Sequence, residues 1–150
     1  MFDDLRDLYQ DIILDHGRKP RHGARLAAFD ATAKGDNPMC GDRVQVFLRH
    51  GDDGLIAEAG FEARGCAISV ASADLMAEVI AGRSDAESRD LAGRFREMAR
   101  TGAASGGDAA IERLKPLAGV HEYPSRVKCA TLPWHALLAA LDGKGDSSSE

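Results

Sequence analysis

The sequence predicts an α+β domain, because a clear β-hairpin signal stands among several segments with helical periodicity. Apolar residues at Val44, Val46 and Leu48 alternate with other side chains, which indicates a strand, and the segment 55–64 indicates a second one. Between them, residues 50–54 read His-Gly-Asp-Asp-Gly, a composition typical of a turn. The two strands are therefore expected to pair as an antiparallel hairpin. A weaker strand is expected over 26–34, followed by a loop over 35–39.

Helical segments flank this hairpin on both sides. Apolar residues recur at three- and four-residue steps in residues 2–16, and Gly17 is expected to end that helix. Further helices are expected over 68–81, 85–100, 109–117 and from about residue 124 to 141. Ser84 and Glu87 have the spacing of a capping box, and Asp108 is a candidate cap for the short fourth helix. Pro133 lacks an amide hydrogen, so we expect a kink or a break in the last helix.

Composition narrows the class of protein. The chain has 150 residues, 44% of them hydrophobic and 29% charged, which suits one globular domain, expected over 1–143. Residues 144–150 are polar, and we expect a disordered tail there. The net charge is −5 and the basic residues are scattered, so no nucleic-acid partner is expected. No apolar run approaches the roughly 20 residues of a membrane span, and no secretory signal is visible, which favours a soluble cytoplasmic protein.

The three cysteines are the chemically informative residues. An odd number argues against a disulfide framework and favours metal binding or thiol chemistry. The predicted hairpin brings Cys40 and Asp42, just before it, beside Cys66, just after it. Cys66 also starts a predicted helix, whose dipole favours a thiolate. With Cys129 from the last helix, these residues would form one metal site. The alternative is that the cysteines are ordinary buried residues, since no CxxC spacing is present.

The chemistry of such a site can be anticipated from its ligands. Thiolates suit zinc, iron–sulfur clusters and copper(I). Three thiolates and one carboxylate would leave a divalent ion with a net charge of −2, which makes it a weak Lewis acid. Hydrolysis is therefore a poor hypothesis, and an exchangeable thiolate is a better one. Arg126 and Lys128 flank Cys129 and are either solvated charges or contacts to the site or to a partner.

Four segments of the chain resemble the IscU/NifU-like iron–sulfur cluster assembly proteins, and the resemblance covers nearly the whole chain except the polar tail. The segments are Tyr9-Gln10-Asp11-Ile12-Ile13-Leu14-Asp15-His16, Asn37-Pro38-Met39-Cys40-Gly41-Asp42, Gly65-Cys66-Ala67-Ile68-Ser69 and Arg126-Val127-Lys128-Cys129. Two features are similar to the SufU branch. IscU scaffolds carry a histidine directly before the third cysteine, whereas this chain has Lys128. The interval from Cys66 to Cys129 (129 − 66 = 63 positions) is also longer than in IscU.

The resemblance implies a fold and a function. The implied fold is a small three-stranded antiparallel sheet packed on one face by helices. The implied function is a zinc-dependent sulfurtransferase in iron–sulfur cluster biogenesis, with Cys40, Asp42, Cys66 and Cys129 as zinc ligands. Cys40 would accept persulfide sulfur from a SufS-type cysteine desulfurase and relay it to downstream Suf assembly proteins. Two alternatives stay open: a scaffold that binds an iron–sulfur cluster, and a purely structural zinc site.

Overall fold

The computed structural model describes residues 2–38, 41–103, 106, 108–144 and 146–148. Helix α1 (Phe2–Arg18) comes first, followed by strands β1 (Ala31–Asn37), β2 (Asp42–His50) and β3 (Ile56–Arg64). Helices α2 (Ala67–Ile80), α3 (Asp85–Thr101) and α4 (Ala109–Leu114) follow, then a 3₁₀ segment (Lys115–Glu122). Helix α5 (Pro124–Leu141) and a short strand β4 (Asp146–Ser148) complete the described chain. None of the helices in these residues combines the length and apolar character needed to cross a bilayer.

Strands β1, β2 and β3 form two consecutive hairpins, and the short strand β4 pairs with the outer edge of β1, so the strand order is β3-β2-β1-β4. Strand β2 lies in the middle and pairs antiparallel with both neighbours, with Asn37 opposite Asp42 and Arg43 opposite Arg64. The predicted three-stranded antiparallel sheet is confirmed, and β4 adds a fourth strand that runs parallel to β1. Because of this register, Asp42 at the start of β2 and Gly65 just after β3 lie at the same end of the sheet.

One face of the sheet carries the apolar core. Val44, Val46 and Leu48 point to this face and are 2%, 0% and 0% exposed, as their alternation predicted. Helix α5 packs on β1 and β2, and α2 packs on β3 and against α5. Phe95 of α3 stacks on Trp134 of α5, with ring centroids 4.7 Å apart. The predicted fold class, with helices on one face of the sheet, is therefore confirmed.

The opposite face of the sheet is partly covered by the irregular segment 19–30. Phe29 meets Phe47 edge-to-face, with ring centroids 5.0 Å apart, and the Arg25 guanidinium lies over both rings. The prediction of a strand over 26–34 was therefore wrong at its start. The apolar residues before Asp30 pack against the face of the sheet instead of pairing in it. Strand β1 begins at Ala31 and ends at Asn37.

Two glycines lie within elements that the sequence predicted they would end or exclude, Gly17 within α1 and Gly35 within β1. Helix α1 continues through Gly17, where a Cβ would lie 3.0 Å from the Cβ of Ala67, so this glycine lets α1 approach α2 closely. Gly35 was expected to begin a loop, but it lies within β1. A Cβ there would lie 3.1 Å from Leu132 and 3.4 Å from Ala136, so α5 crosses the strand at a position that suits a glycine.

The later helices follow the predicted pattern with some corrections. The capping box of α3 is present, with Ser84 and Glu87 bonded reciprocally. Asp108 makes no capping bond and instead pairs with Arg94. The fourth helix ends at Leu114 rather than 117, because Pro116 cannot continue an α-helical ladder, and a 3₁₀ segment replaces it.

The end of the chain also differs from expectation. Helix α5 runs without a break through Pro133. Asp146–Ser148, within the tail predicted to be disordered, form β4 and pair parallel with β1. The outer edge of β1 offers unpaired backbone groups, so even a polar segment can add a strand there.

Candidate metal centre

Asp42, Cys66 and Cys129 converge at the end of the sheet where β2 begins and β3 ends. One ligand atom from each lies within 4.8 Å of the others. Each comes from a different element: Asp42 opens β2, Cys66 is the N-cap of α2, and Cys129 lies in the second turn of α5. Asp42 and Cys129 are 2% exposed, while Cys66 is partly accessible. The hairpin and the two helices that pack on it therefore bring together residues far apart in sequence.

The Asp42 carboxylate is held by hydrogen bonds to both of its oxygens. The backbone amide of Cys66 donates to Oδ1 over 2.9 Å, and the Ser69 hydroxyl donates to Oδ2 over 2.9 Å. The Cys66 thiol also lies 3.5 Å from Oδ2. Burial by itself raises the pKa of Asp42. The hydrogen bonds donated by Cys66, Cys129 and Ser69 lower it by more, so the pKa of Asp42 lies below its usual value. The carboxylate is therefore charged at neutral pH.

The pKa of the Cys129 thiol is shifted in the opposite direction to that of Asp42. Burial raises the pKa of its thiol, and the neighbouring Asp42 and Cys66 raise it further. The side-chain amide of Asn37 lies 4.0 Å from the Cys129 sulfur and is oriented to donate to it. A buried thiol beside a carboxylate keeps its proton until a cation is present to take its place. This arrangement suits a site in which metal binding releases protons.

The donor atoms fit a borderline metal ion. Two sulfurs and a carboxylate oxygen are ligands that zinc accepts, and thiolates also hold iron–sulfur clusters. The site opens into a cleft of about 440 Å³ lined by Asp42, Gly65, Cys66, Ser125, Arg126 and Cys129. The cleft lets a further ligand or a partner's side chain reach the sulfurs.

Gly65 explains how Asp42 and Cys66 approach so closely. Its φ of +144° is a conformation that favours glycine, and a Cβ there would lie 2.0 Å from Oδ1 of Asp42. Gly41, on the other side of Asp42, has a φ of +74°, and its amide donates to the Asn37 carbonyl over 2.8 Å. Glycines thus shape the backbone on both sides of the site.

A family model described as the NifU-like N-terminal domain matches residues 8–130 of the chain. The protein belongs to this family. The iron–sulfur cluster assembly scaffold protein IscU of Streptococcus pyogenes serotype M1 is 34% identical over 137 residues, covering 91% of this chain and 84% of the relative. The zinc-dependent sulfurtransferase SufU of Bacillus subtilis (strain 168) is 34% identical over 133 residues, covering 89% of this chain and 88% of the relative.

A solved structure has the same fold as this NifU-like domain. It is a putative iron–sulfur cluster assembly scaffold protein for the SUF system from Fervidobacterium islandicum AW-1. It superimposes with a TM-score of 0.80 at 29% sequence identity, covering 91% of this chain and 98% of that one. The resemblance to the IscU/NifU family, with SufU-type members among its relatives, is therefore confirmed.

The structure brings together three of the four predicted ligands, Asp42, Cys66 and Cys129, while Cys40 lies outside the described residues. Of the two predicted contact residues, Arg126 is exposed and lines the cleft, and Lys128 is partly buried on α5. Sequence reasoning did not assign roles to Asn37, Gly65 and Ser69. All three stand inside the segments that carry the family resemblance, which was the available signal.

Proposed function

We propose that this protein is a zinc-dependent sulfurtransferase in iron–sulfur cluster biogenesis. The observation that carries the proposal is the convergence of the Asp42 carboxylate with the Cys66 and Cys129 sulfurs in an open cleft. Cys40, two residues before Asp42, would be the fourth ligand. A bound zinc ion would keep these thiols as thiolates at neutral pH. The 34% identity to the zinc-dependent sulfurtransferase SufU of Bacillus subtilis supports the assignment.

The reaction is a transfer of sulfur between two cysteines. The Cys40 thiolate attacks the terminal sulfur of a persulfide on a SufS-type cysteine desulfurase. The sulfur–sulfur bond of that persulfide breaks, and the desulfurase cysteine leaves as a thiolate. Cys40 then carries the persulfide, with its hydrogen on the transferred sulfur, and passes the sulfur on to downstream Suf assembly proteins.

The chain's own residues support this role for the cleft. Cys66 and Cys129 are held at helix positions. In the sequence, Cys40 stands between Met39 and Gly41, after the last residue of β1 and before the first residue of β2. Arg126 is exposed at the rim of the cleft, where a guanidinium suits contact with acidic groups of a partner. We assign to Arg126, and secondarily to Lys128, the contact with the desulfurase.

Trapping the persulfide tests the assignment of the acceptor. The protein is incubated with a SufS-type desulfurase and cysteine, then alkylated, and the modified peptides are identified by mass spectrometry. We expect a persulfide on Cys40 and its loss in Cys40→Ser. The matched control is Arg94→Gln, which changes a charge on α3 and should leave transfer unchanged. A Cys40→Ser variant that relays sulfur at the normal rate would show that the assignment is wrong.

A scaffold for an iron–sulfur cluster is the second candidate. The observation that supports it is sequence identity: the IscU of Streptococcus pyogenes and the SufU of Bacillus subtilis are both 34% identical to this chain. The same thiolates can ligate a cluster. Lys128 favours the zinc function, because the resemblance to IscU scaffolds implies a histidine directly before the third cysteine and this chain has a lysine there. Metal and sulfide content separate the two candidates.

A further inference from the structure

Ser69 touches all three residues of the candidate metal centre. It lies in the first turn of α2, three positions after Cys66, and is 1% exposed. Its hydroxyl oxygen is 2.9 Å from Oδ2 of Asp42, 3.1 Å from the backbone oxygen of Cys129 and 3.7 Å from the Cys66 sulfur. A single buried hydroxyl therefore connects the strand and both helices that supply the ligands.

Pro133 explains why the Cys129 carbonyl receives this hydroxyl. In an α-helix the carbonyl of residue 129 accepts from the amide of residue 133, but proline has no amide hydrogen. The Ser69 hydroxyl is positioned to donate there instead, and α5 remains continuous from Pro124 to Leu141. Ser69 and Pro133 thus form a complementary pair across the α2–α5 contact, at the turn of α5 that carries Cys129.

The hydroxyl has one hydrogen and two acceptors. Only one of Asp42 and Cys129 can receive it at a time. The charged carboxylate makes the stronger bond, and its distance is the shorter of the two. The hydrogen is therefore shared over time between Asp42 and the Cys129 carbonyl, with the larger share on Asp42.

We infer that Ser69 is the positioning residue of this metal centre, orienting the Asp42 carboxylate and holding the Cys129 turn of α5 beside it. The part of this inference that concerns zinc binding rests on the proposed function. The pairing of Ser69 with Pro133 does not depend on a metal. Residues that support metal ligands in this way commonly alter metal affinity by about 10- to 100-fold when removed.

Ser72 supplies a matched control. It lies one turn further along α2, is fully buried, and also donates to a carbonyl of α5, that of Ala130. It accepts from the Trp134 side chain over 3.2 Å. Ser72 therefore joins the same two helices as Ser69, but its bonds go to Ala130 and Trp134 rather than to the ligands. A loosened α2–α5 contact should affect both variants, whereas a loss of ligand positioning should affect Ser69→Ala alone.

The first test is zinc affinity, measured by competition with a chromophoric chelator. We expect Ser69→Ala to weaken zinc binding by about 10- to 100-fold, Ser69→Thr to retain most of the affinity, and Ser72→Ala to bind as the unmodified protein does. Equal losses in Ser69→Ala and Ser72→Ala, or no loss in Ser69→Ala, would overturn the inference. Failure of the unmodified protein to bind zinc would instead count against the proposed function.

The second test needs no metal and also covers a Ser69→Ala variant that folds poorly. In Pro133→Ala the new amide can donate to the Cys129 carbonyl, so Ser69 is no longer required there. We expect Ser69→Ala to lower the melting temperature of the metal-free protein less in the Pro133→Ala background than in the original one. Additive effects of the two substitutions would contradict the pairing of Ser69 with Pro133.

Discussion

Gly65 is the residue at which the backbone and the candidate site constrain each other most directly. Gly65→Ala would force its Cβ against the Asp42 carboxylate or shift the backbone from a φ of +144°. We expect this variant to lose most of its zinc affinity, because Asp42 must move away from Cys66. Zinc binding by chelator competition is the measurement.

Gly54→Ala is the control for Gly65→Ala. Gly54 also has a positive φ, +79°, but no described heavy atom outside its chain neighbours lies within 4 Å of the position of a Cβ. It should lose stability from backbone strain while keeping its zinc affinity. If both variants bind zinc equally well, the close contact between Gly65 and Asp42 is not needed for the site.

His50 gives a prediction about pH. Its Nε2 lies 2.7 Å from Asp85 and its Nδ1 lies 2.9 Å from Asp30. A ring that donates to both carboxylates is an imidazolium. The hydrogen bond to Asp85 raises the pKa of His50 above its usual value, although burial acts in the opposite direction. The stabilisation is therefore complete below the unfolded-state pKa of about 6.5 and is lost as the pH rises through the higher folded-state pKa.

We expect His50→Gln to reduce the free energy of unfolding at pH 6 by up to about 1 kcal/mol, since the aspartates are well exposed. The loss should be smaller at pH 9, because the stabilisation is lost as the pH rises through the folded-state pKa of His50. Urea denaturation at both pH values is the measurement, and Asp85→Asn should reduce the pH dependence. Equal losses at both pH values would contradict the doubly paired imidazolium.

Ser84 tests the energetics of a single element. Its side chain accepts from the Glu87 amide over 3.1 Å at the start of α3, while Glu87 bonds back to the Ser84 amide. Ser84→Ala should cost about 1 kcal/mol in the free energy of unfolding, and Ser84→Asp should retain most of it, because aspartate also accepts from the helix. A Ser84→Ala variant as stable as the unmodified protein would mean that the cap contributes little.

The elements with strong local signals were predictable from the sequence. The period-two pattern and the turn gave the hairpin, and the capping box gave the start of α3. Where the structure differs, a contact from a distant part of the chain decides. Gly17 lies within α1 and Gly35 within β1, because each allows a close approach of a side chain from another helix, Ala67 and Leu132 respectively. Strand β4 forms by pairing with the edge of β1. The roles of Ser69, Asn37 and Gly65 also depend on contacts between elements, so residue type alone did not indicate them.

At the scale of the whole molecule, Asp74 fastens the N-terminal part of the chain to α2. It is fully buried and accepts from the His16 ring of α1 and, over 2.8 Å, from the His22 amide. Asp74→Ala would leave both groups without this acceptor, and we expect a loss of about 3 kcal/mol in the free energy of unfolding. Chemical denaturation is the measurement.

Glu78→Ala is the control on the same helix. Glu78 pairs with Arg113, but both side chains are well exposed, so the loss should be below about 1 kcal/mol. If Asp74→Ala and Glu78→Ala cost the same, the buried cluster around Asp74 does not anchor α1.

The metal carried by the whole protein tests the central claim most directly. The measurement is the zinc, iron and acid-labile sulfide content of the full chain, purified without oxygen, together with its absorbance spectrum. We predict about one zinc per chain, no acid-labile sulfide and no absorbance in the visible range. Iron with acid-labile sulfide, and little zinc, would contradict the sulfurtransferase and favour a scaffold for an iron–sulfur cluster.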